Sequence, residues 1–589
     1  MRYHALAADY DGTLAHHGQI DDDTWSALRR LRDSGRKLVM VTGRQLEDLL
    51  AIVPHPELFD RIVAENGALL YDPATRASVA TSDALVPARF VETLRRRGVD
   101  PIAVGHTIVA TWEPHETTVL RTIHELGLEL QVIFNKGAVM VLPSGVNKAT
   151  GLAAALLELG LSAHNVVGVG DAENDHALLQ SCECGAAVAN ALTSLKERAD
   201  LVLREHHGGG IRELIDRLIA DDLASVGPSL TRHQLLLGKA AHGEVSGEGE
   251  VSIDPYKANI LICGTSGSGK STITNGLLER LCKRGYQYAI VDPEGDYASM
   301  EEAVVLGAPK RAPLVPEILD VLKHPADNVV ANLLGIAVEH RPEFFAQVLP
   351  GLSDLRTRTG RPHWLVVDEA HHLLPSGWEP AADLPLRLHG TIYVTVHPEH
   401  VARAVIATIN TVIAVGEAPA RTLRELCGLR GLPPPAIPDD QRLPAGQALY
   451  WRVGAPEALV VQIEPTKTER TRHSRKYMEG NLGAGRAFYF RGPGGKLNLK
   501  AHNLQLFLLI ADGVDDDTWM FHLRRGHYST WLRSEVKDGD LADEVDRVER
   551  DYALGAADSR AAVRAAVDRR YTLPADKASG IVDENGQRL

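Results

Sequence analysis

Two aspartates stand two residues apart directly after the first apolar stretch of the chain. Asp9 and Asp11 lie in the run DYDGTL, which follows HALAA. Carboxylates at this spacing suit covalent phosphoryl transfer, in which one attacks phosphorus while the other protonates the leaving oxygen and later activates water. Because an acyl-phosphate intermediate crowds negative charge, this chemistry also needs a metal ion. The run therefore indicates a phosphatase with an aspartate nucleophile.

Three later segments supply the other groups that such a reaction needs. Thr42 follows the apolar run KLVMV and offers a hydroxyl, with neighbouring backbone N–H groups, to phosphate oxygens. Lys148 can offset the charge on the nucleophile and on the transferred phosphoryl group. The run GDAEND brings Asp171, Asn174 and Asp175, spaced to hold Mg²⁺ directly and through supporting contacts.

These four segments, in this order, closely resemble the haloacid dehalogenase-like (HAD) superfamily over about the first 220 residues. An inserted αββαββ segment and the run AENGA resemble its Cof-type (IIB) branch, which includes sugar-phosphate and phosphoglycolate phosphatases. The resemblance implies a small phosphorylated metabolite as a candidate substrate. It also implies Asp9 as nucleophile, Asp11 as general acid/base, Thr42 and Lys148 as phosphate ligands, and Mg²⁺ held by Asp9, the Asp11 carbonyl and Asp171 with support from Asn174 and Asp175.

A second phosphate site is indicated in the middle of the chain, where the apolar run NILIC precedes GTSGSGKST. The glycines let backbone N–H groups surround phosphate oxygens, and the following helix N-terminus adds a favourable dipole. Lys270 would reach the outer phosphates of ATP, the expected substrate, and Ser271 would contact Mg²⁺. The candidate nucleotide-binding residues are Gly264, Gly267, Ser268, Gly269, Lys270, Ser271 and Thr272.

The run WLVVDEAHH supplies the acids that this second site needs. Asp368 would hold Mg²⁺ through water, and Glu369 would polarise the attacking water. An acid directly after the Walker B aspartate is typical of NTP hydrolysis by the additional-strand class. His397 follows the next apolar run, TIYVTV, at the position of a γ-phosphate sensor.

The runs DPEGDY, DEAHHLLP and VTVHP resemble the HerA/FtsK group of motor ATPases over residues 235–463. In that group the sensor is often a polar amide, where this chain has His397. The resemblance implies a homo-oligomer, typically a hexameric ring that moves DNA or peptide and completes each site with a neighbour's arginine. The candidate arginines are Arg356, Arg358, Arg421 and Arg424.

Both sites depend on alternating strands and helices, which predict parallel α/β sheets. We predict a HAD Rossmann-like domain at 1–223 with its cap at about 72–144, and a P-loop α/β domain at 227–465. A basic linker at 466–481 and a mainly helical domain at 482–575 follow. In the last of these, the segment from Arg524 to Trp531 is either a nucleic-acid surface or a helical hairpin with Trp519 and Trp531 in its core, and the pattern favours the core.

Composition limits the functional classes. The formal net charge of −14 argues against a chain-wide basic surface for nucleic acid but leaves room for a local basic patch. There is no apolar run of about 18 residues, so we expect no membrane span. The N-terminus lacks the pattern of a signal peptide, and an odd number of cysteines without a CxxC pair fits a reduced cytoplasm.

Two alternatives to a phosphatase fused to a motor ATPase remain open. One is an end-processing polynucleotide kinase-phosphatase, which Glu369 and the lack of an aspartate in the run TITNGLLERLCKRG argue against. The other is a phosphatase whose middle domain is a nucleotide-gated switch that drives no movement.

Overall fold

In a computed structural model of the chain, the structure describes residues 1–82, 84–135, 137–227, 230–241, 249–265, 267–378, 389–437, 443–466, 478, 487–536 and 538–571. The chain divides into two compact units, Met1–Glu464 and Pro465–Leu589. Apart from residues 466 and 478, the predicted basic linker lies outside the described residues. Both predicted phosphate sites lie in the first unit.

The described residues of the phosphatase region form an eight-stranded sheet in the order β12-β11-β10-β1-β2-β3-β4-β5 and a four-stranded cap sheet in the order β6-β7-β9-β8. The strands are β1 (Ala5–Asp9), β2 (Lys37–Val41), β3 (Arg61–Ala64), β4 (Leu69–Asp72), β5 (Ala77–Ala80), β6 (Ala103–Val104), β7 (Val109–Trp112), β8 (Leu130–Asn135), β9 (Ala138–Pro143), β10 (Val166–Gly170), β11 (Cys184–Ala187) and β12 (Leu201–Val202). The helices are α1 (Asp22–Asp33), α2 (Leu46–Ile52), α3 (Ala88–Arg96), α4 (Glu116–Glu125), α5 (Lys148–Glu158), α6 (His176–Ser181), α7 (Thr193–Lys196) and α8 (His207–Asp221).

The larger sheet is parallel from β12 to β3, as the alternating pattern predicts, and ends in antiparallel β4 and β5. The predicted cap range, about 72–144, therefore includes one strand of this core sheet, β5. The cap itself has the expected αββαββ order and an apolar core of its own, which includes Phe90, Leu94 and Val119. It is a separately packed layer over the main sheet.

The described residues of the predicted ATPase domain, here called the ATPase region, form an eleven-stranded sheet in the order β14-β13-β23-β22-β21-β15-β20-β19-β16-β18-β17. Its strands are β13 (Leu235–Ala240), β14 (Glu250–Ile253), β15 (Asn259–Gly264), β16 (Tyr288–Asp292), β17 (Val304–Leu306), β18 (Val329–Asn332), β19 (Trp364–Val367), β20 (Thr391–Thr395), β21 (Thr411–Val415), β22 (Gln447–Arg452) and β23 (Leu459–Ile463). Its helices are α9 (Lys270–Lys283), α10 (Val315–Lys323), α11 (Arg341–Thr359), α12 (Ala370–Leu373), α13 (Arg403–Ile406) and α14 (Pro419–Arg430).

The order of the parallel strands confirms the predicted additional-strand arrangement. Strand β20 lies between the P-loop strand β15 and the Walker B strand β19 and pairs with both in parallel. Strands β15 and β19 are buried at every position, which is why they read as continuous apolar runs. The carboxyl ends of β15, β19 and β20 therefore meet at one edge of the sheet, where ligands bind in such folds.

The two sheets of the first unit meet at the amino ends of their strands. Two residues just before β10 make part of this contact. His164 Nε2 lies 2.6 Å from the Arg284 carbonyl, and Asn165 Oδ1 lies 3.1 Å from His363 Nε2. Glu183, just before β11, accepts a hydrogen bond from the Tyr286 hydroxyl at 3.1 Å. Tyr286 and His363 in turn precede β16 and β19. The carboxyl edges, which carry the predicted sites, are thus on opposite sides of the joined sheets.

The second unit is mainly helical, as predicted. It contains a two-stranded hairpin of β24 (Phe488–Phe490) and β25 (Leu499–Ala501) followed by α15 (Leu504–Gly513), α16 (Asp516–Leu523), α17 (His527–Trp531), α18 (Gly539–Arg550) and α19 (Ala556–Tyr571). Trp519 and Trp531 are buried in its core. Arg524 donates hydrogen bonds to the carbonyls of Asp551 and Leu554. These contacts support the core interpretation of the segment from Arg524 to Trp531.

Within the part of the chain that the structure describes, no helix combines the length and the apolar character needed to cross a membrane.

Candidate active sites

The predicted phosphatase residues converge at the carboxyl edge of the first sheet. Asp9 is the last residue of β1 and is 3% exposed. Thr42 directly follows β2, and Asp171 directly follows β10. Because β2 and β10 are the two neighbours of β1, these three side chains emerge side by side.

Lys148 joins two of the buried carboxylates. It is the first residue of α5, where the side chain of Asn147 caps the helix by accepting from the N–H groups of Ala149 and Thr150. Its Nζ donates to Asp9 Oδ1 at 2.5 Å and to Asp175 Oδ1 at 2.6 Å, and its side chain is 1% exposed. The helix start therefore fixes an ammonium group against the predicted nucleophile.

Asp175 also shapes the acidic loop. Its Oδ2 accepts the N–H groups of Asp171 at 2.9 Å and Ala172 at 3.0 Å. A Cβ on Gly170 would lie 2.5 Å from Asp175 Cγ, so only glycine fits there. The loop therefore closes around the Asp175 carboxylate and directs Asp171 toward Asp9.

The phosphatase site carries more buried negative than positive charge. Carboxylate oxygens of Asp9, Asp171 and Asp175 lie within 4.8 Å of one another, and Lys148 contacts two of the three residues. Burial raises the pKa of Asp9, Asp175 adds to that rise, and Lys148 opposes it. Asn174 Oδ1 is buried and has no hydrogen-bond partner among the described residues. These oxygens match the ligands that Mg²⁺ prefers.

Asp11 lies nearer to solvent than Asp9. Both of its carboxylate oxygens accept hydrogen bonds from Arg44, with Nε and Nη2 each at 2.7 Å. The Arg44 N–H in turn donates to Thr42 Oγ1 at 3.1 Å. Arg44 stands two residues after Thr42 in the run VTGR, and the sequence assigned it no role. The pairing of a basic side chain in this run with Asp11 depends on β1 and β2 being neighbours.

The nucleotide-binding candidates lie on the turn that joins β15 to α9. Gly264, Gly267 and Gly269 have φ of 151°, 75° and 98°, which L side chains rarely adopt. Lys270, the first residue of α9, is 7% exposed, and its Nζ donates to the Thr265 carbonyl at 3.0 Å. Ser268 is next to this turn's last glycine, whereas Ser271 and Thr272 occupy the first turn of α9, and Ser266 lies outside the described residues.

Asp368 and Glu369 follow β19 at the same edge. Asp368 is buried, whereas Glu369 has a left-handed φ of 42°. Burial raises the pKa of both carboxyls and lowers the pKa of Lys270. Glu369 Oε2 is buried and accepts no hydrogen bond from the described residues; His371 Nδ1 lies 3.4 Å away. Glu369 therefore combines a left-handed backbone with a buried carboxylate oxygen that lacks a hydrogen bond from the described residues, two features that are common at functional sites.

Two histidines lie near the predicted nucleotide site: His371 comes two residues after Glu369, and His397 comes two residues after β20. His397 is half-exposed, and its Nδ1 lies 3.0 Å from Glu399 Oε1. His371 Nδ1 lies 3.1 Å from Thr395 Oγ1, at the end of β20. Burial lowers the pKa of His371 to about 4, so the imidazole is neutral at neutral pH. Sequence reasoning assigned His397 and missed His371, which no spacing rule brings close to Thr395.

The four candidate arginines differ in their surroundings. Arg356 donates to the carbonyls of Pro362, His389 and His363 near the amino ends of β19 and β20, so its guanidinium already has structural partners. Arg358 and Arg421 are exposed and pair with acids one helical turn away. Arg424 lies on the same helix, α14, as Arg421. The surroundings of Arg356 make it the least suited of the four to reach a neighbouring subunit.

Two family models match the chain. The model described as haloacid dehalogenase-like hydrolase matches residues 6–110 and 124–215. The model described as the central domain of the helicase HerA matches residues 241–350. The two predicted resemblances are thereby confirmed.

Curated relatives are similar to the first part of the chain. A phosphoglycolate phosphatase of Halobacterium salinarum is 30% identical over 230 residues, which are 36% of this chain and 96% of the relative. One of Methanothermobacter thermautotrophicus is 29% identical over 227 residues, 36% of this chain and 98% of the relative. One of Pyrobaculum islandicum is 26% identical over 226 residues, 38% of this chain and 98% of the relative.

Proposed function

Because the chain belongs to the haloacid dehalogenase-like hydrolases through residues 6–110 and 124–215, we propose that it hydrolyses a phosphomonoester through an aspartyl-phosphate on Asp9. The main support is the position of Lys148, whose Nζ donates hydrogen bonds to both Asp9 and Asp175. The ammonium holds one oxygen of Asp9 and leaves the other to attack phosphorus. Asp11 protonates the leaving oxygen once Arg44 releases it, and then takes the proton of the attacking water.

Mg²⁺ is the metal that we propose for this site. When bound, it would neutralise charge on the phosphoryl group and on the acids. Asp9, the Asp11 carbonyl and Asp171 would hold it, and Asn174 and Asp175 would support it. The excess of buried carboxylates and the unpartnered Asn174 Oδ1 support this set. Thr42 would donate to a phosphate oxygen.

The first substrate to test is phosphoglycolate, because the similar curated proteins are named phosphoglycolate phosphatases. We expect Asp9→Asn to lower kcat at least about 10³-fold, because an amide cannot form the acyl-phosphate. Phosphate release measured with Mg²⁺ gives the comparison, and Asp33→Asn, an exposed change on α1, is the matched control. Full activity of Asp9→Asn would exclude the covalent mechanism.

For the middle region we propose ATP hydrolysis. The P-loop would bind the nucleotide through Lys270, Thr272 and the backbone of Gly264, Gly267, Ser268 and Gly269, while Ser271 and Asp368 would hold Mg²⁺. Glu369 would orient the attacking water and His397 would sense the γ-phosphate. The buried, unsatisfied Glu369 Oε2 at the end of the Walker B strand is the observation that supports this role.

Glu369→Gln should lower ATP turnover by about 10²–10⁴-fold, the range for loss of a general base, while nucleotide still binds. Glu343→Gln, an exposed change on α11, is its control. Phosphate release and binding of a fluorescent nucleotide separate the two effects. Unchanged turnover would exclude Glu369 as the residue that orients the attacking water, and absence of turnover in the wild type would favour the switch that binds ATP without hydrolysing it.

Action on DNA as a homo-oligomeric, hexameric motor is the finer proposal, and it rests on the similarity to the HerA central domain. Two results would support it: ATP turnover that rises when double-stranded DNA is added, and sedimentation of the protein as a hexamer. The end-processing kinase remains the second candidate. Transfer of the γ-phosphate to a DNA 5′-hydroxyl would favour it, although α9 carries no aspartate to activate that hydroxyl.

A further inference from the structure

Glu65 is a fully buried acid at the carboxyl edge of the phosphatase sheet. It follows β3, and Glu65 and Asn66 both have left-handed φ, 51° and 54°. Residues other than glycine rarely adopt this backbone, although asparagine tolerates it better than glutamate does. The N–H of Glu65 donates to the Arg44 carbonyl, and the N–H of Asn66 donates to the Thr42 carbonyl, both at 2.9 Å. The strained turn is thus attached to the loop that carries the predicted phosphate ligand.

The Glu65 carboxylate binds the cap. Its Oε1 accepts the His106 N–H at 3.0 Å. Its Oε2 accepts the N–H groups of Thr107 at 2.9 Å and Ile108 at 3.2 Å, and the Thr107 hydroxyl at 3.1 Å. A Cβ on Gly105 would lie 2.7 Å from Oε1, so glycine lets the loop approach. All four donors belong to the loop between β6 and β7.

The neighbouring Asn66 extends these contacts to the metal side of the site. Its Nδ2 lies 2.7 Å from the sulfur of Met140 in cap strand β9, and its Oδ1 accepts from Asn174 Nδ2 at 2.8 Å. Cap strand β8 also packs against the turn Glu173–Asp175. The two-residue turn therefore contacts the Thr42 loop, the acidic loop and the cap.

We propose that Glu65 is a positioning residue that docks the cap over the phosphatase site, and that this docking sets which phosphomonoesters are accepted. The inference rests on the phosphatase function proposed above. Hydrogen bonds from backbone N–H groups to a carboxylate are charge-assisted and strong. Because the donors share one loop, movement of the cap away from the sheet would break all four hydrogen bonds together. The cap has its own core and therefore stays folded when the contact is broken.

Docking matters most for a substrate whose leaving group reaches the cap. The hydroxyls of a leaving group such as that of a hexose 6-phosphate would need polar partners from the cap, whereas the p-nitrophenolate of p-nitrophenyl phosphate offers few such groups and leaves readily without protonation. Loss of docking therefore lowers kcat/KM more for the first than for the second. A purely structural role in holding the Thr42 loop would lower both equally, because both need the same phosphate ligands.

The test compares Glu65→Ala and Glu65→Gln with Glu92→Gln, an exposed change on cap helix α3. Hydrogen exchange of the amides of residues 106–108 is measured with kcat and KM for both substrates. In Glu65→Ala we expect those amides to exchange at least about tenfold faster and KM for the hexose phosphate to rise about tenfold, with less than about a threefold change for the aryl phosphate. Glu65→Gln, which keeps one oxygen for the Oε2 donors, should lie between.

Unchanged amide exchange in Glu65→Ala would overturn the proposal, and so would an equal loss with both substrates. The exchange measurement needs no turnover. If the wild-type protein hydrolysed neither these two substrates nor phosphoglycolate, the phosphatase proposal would fail while the docking contact would still be tested.

Discussion

Lys148 holds two buried carboxylates together at the phosphatase site. In Lys148→Met, Asp9 and Asp175 lose their ammonium partner and stay buried. Breaking a buried ion pair on one side typically costs about 3–5 kcal/mol, so we expect the free energy of unfolding to fall by about 3 kcal/mol near neutral pH. Denaturant unfolding of both proteins measures the loss.

The pH dependence of that loss identifies its cause. Burial and Asp175 raise the pKa of Asp9, and the charge and hydrogen bond of Lys148 oppose this rise. The substitution removes that opposition, so the pKa of Asp9 rises further. The folded variant then binds more protons than the unfolded chain, whose aspartates titrate near about pH 4. Its stability should therefore increase as the pH falls from about 7 to about 5, more steeply than that of the wild type. An equal loss at every pH would mean that the methionine simply packs badly.

At the scale of elements, the P-loop turn depends on glycine at its first position. A Cβ on Gly264 would lie 2.2 Å from the Val415 carbonyl of the neighbouring strand β21, and the φ of Gly264 is 151°. Gly264→Ala must displace either the turn or β21. We expect a loss of about 3 kcal/mol in stability, since strain and overpacking add, and a loss of nucleotide binding.

Gly267→Ala is the matched comparison for this turn. Gly267 has a φ of 75°, but no atom of the described residues lies within 4 Å of a Cβ placed there. Its cost should be limited to the backbone term, about 1 kcal/mol. Thermal unfolding and titration with a fluorescent nucleotide compare the two variants. Equal effects would show that backbone conformation alone, and not contact with β21, selects glycine at Gly264.

The candidate site residues of each sheet could be located from the sequence because the end of a strand is visible in the local pattern of residues. Asp9, Thr42, Asp171 and Glu369 each follow an apolar run of the right length, and the structure has a strand at each of those runs. Assigning these residues to one edge then needed only the rule that parallel strands share an edge. Their catalytic roles remain predictions.

Other features could not be read from local pattern. Strand β5 is exposed at all four positions, so it has no alternation to reveal it. Glu65 contacts residues more than forty positions away, and His371 meets Thr395 through neighbouring strands. For Glu65 and His371, the tertiary fold determines which residue the polar side chain contacts. Such contacts leave no periodic pattern in the sequence.

At the scale of the first unit, Arg361 links the two sheets. Its side chain is fully buried, and it donates to the Gly160 carbonyl at the end of α5 and to Gln287 Oε1, the Leu322 carbonyl and the Lys323 carbonyl in the ATPase region. Burial lowers its pKa to about 10, so it remains charged at neutral pH. It is therefore a multiple donor that serves both regions.

We expect Arg361→Met to separate the unfolding of the two regions. The substitution leaves several buried acceptors without a donor, each at about 1–3 kcal/mol, and part of that cost falls on the contact between the sheets. For the first unit, calorimetry should show one transition in the wild type and two in the variant. Arg311→Met, which removes an exposed arginine paired with Glu317, is the control. A single transition at lower temperature would show that Arg361 stabilises one region alone.

The joining of the sheets at their amino ends also governs how compounds move around the first unit. Strands of five and six residues, at about 3.3 Å per residue, place the two carboxyl edges on the order of 30–40 Å apart. The mouths of the two sites face away from each other, so a molecule leaving one is diluted into bulk solvent before it meets the other. The two proposed catalytic cycles would therefore share a framework but, among the described residues, no enclosed pool of intermediate, and communication between them would travel as movement of the protein itself.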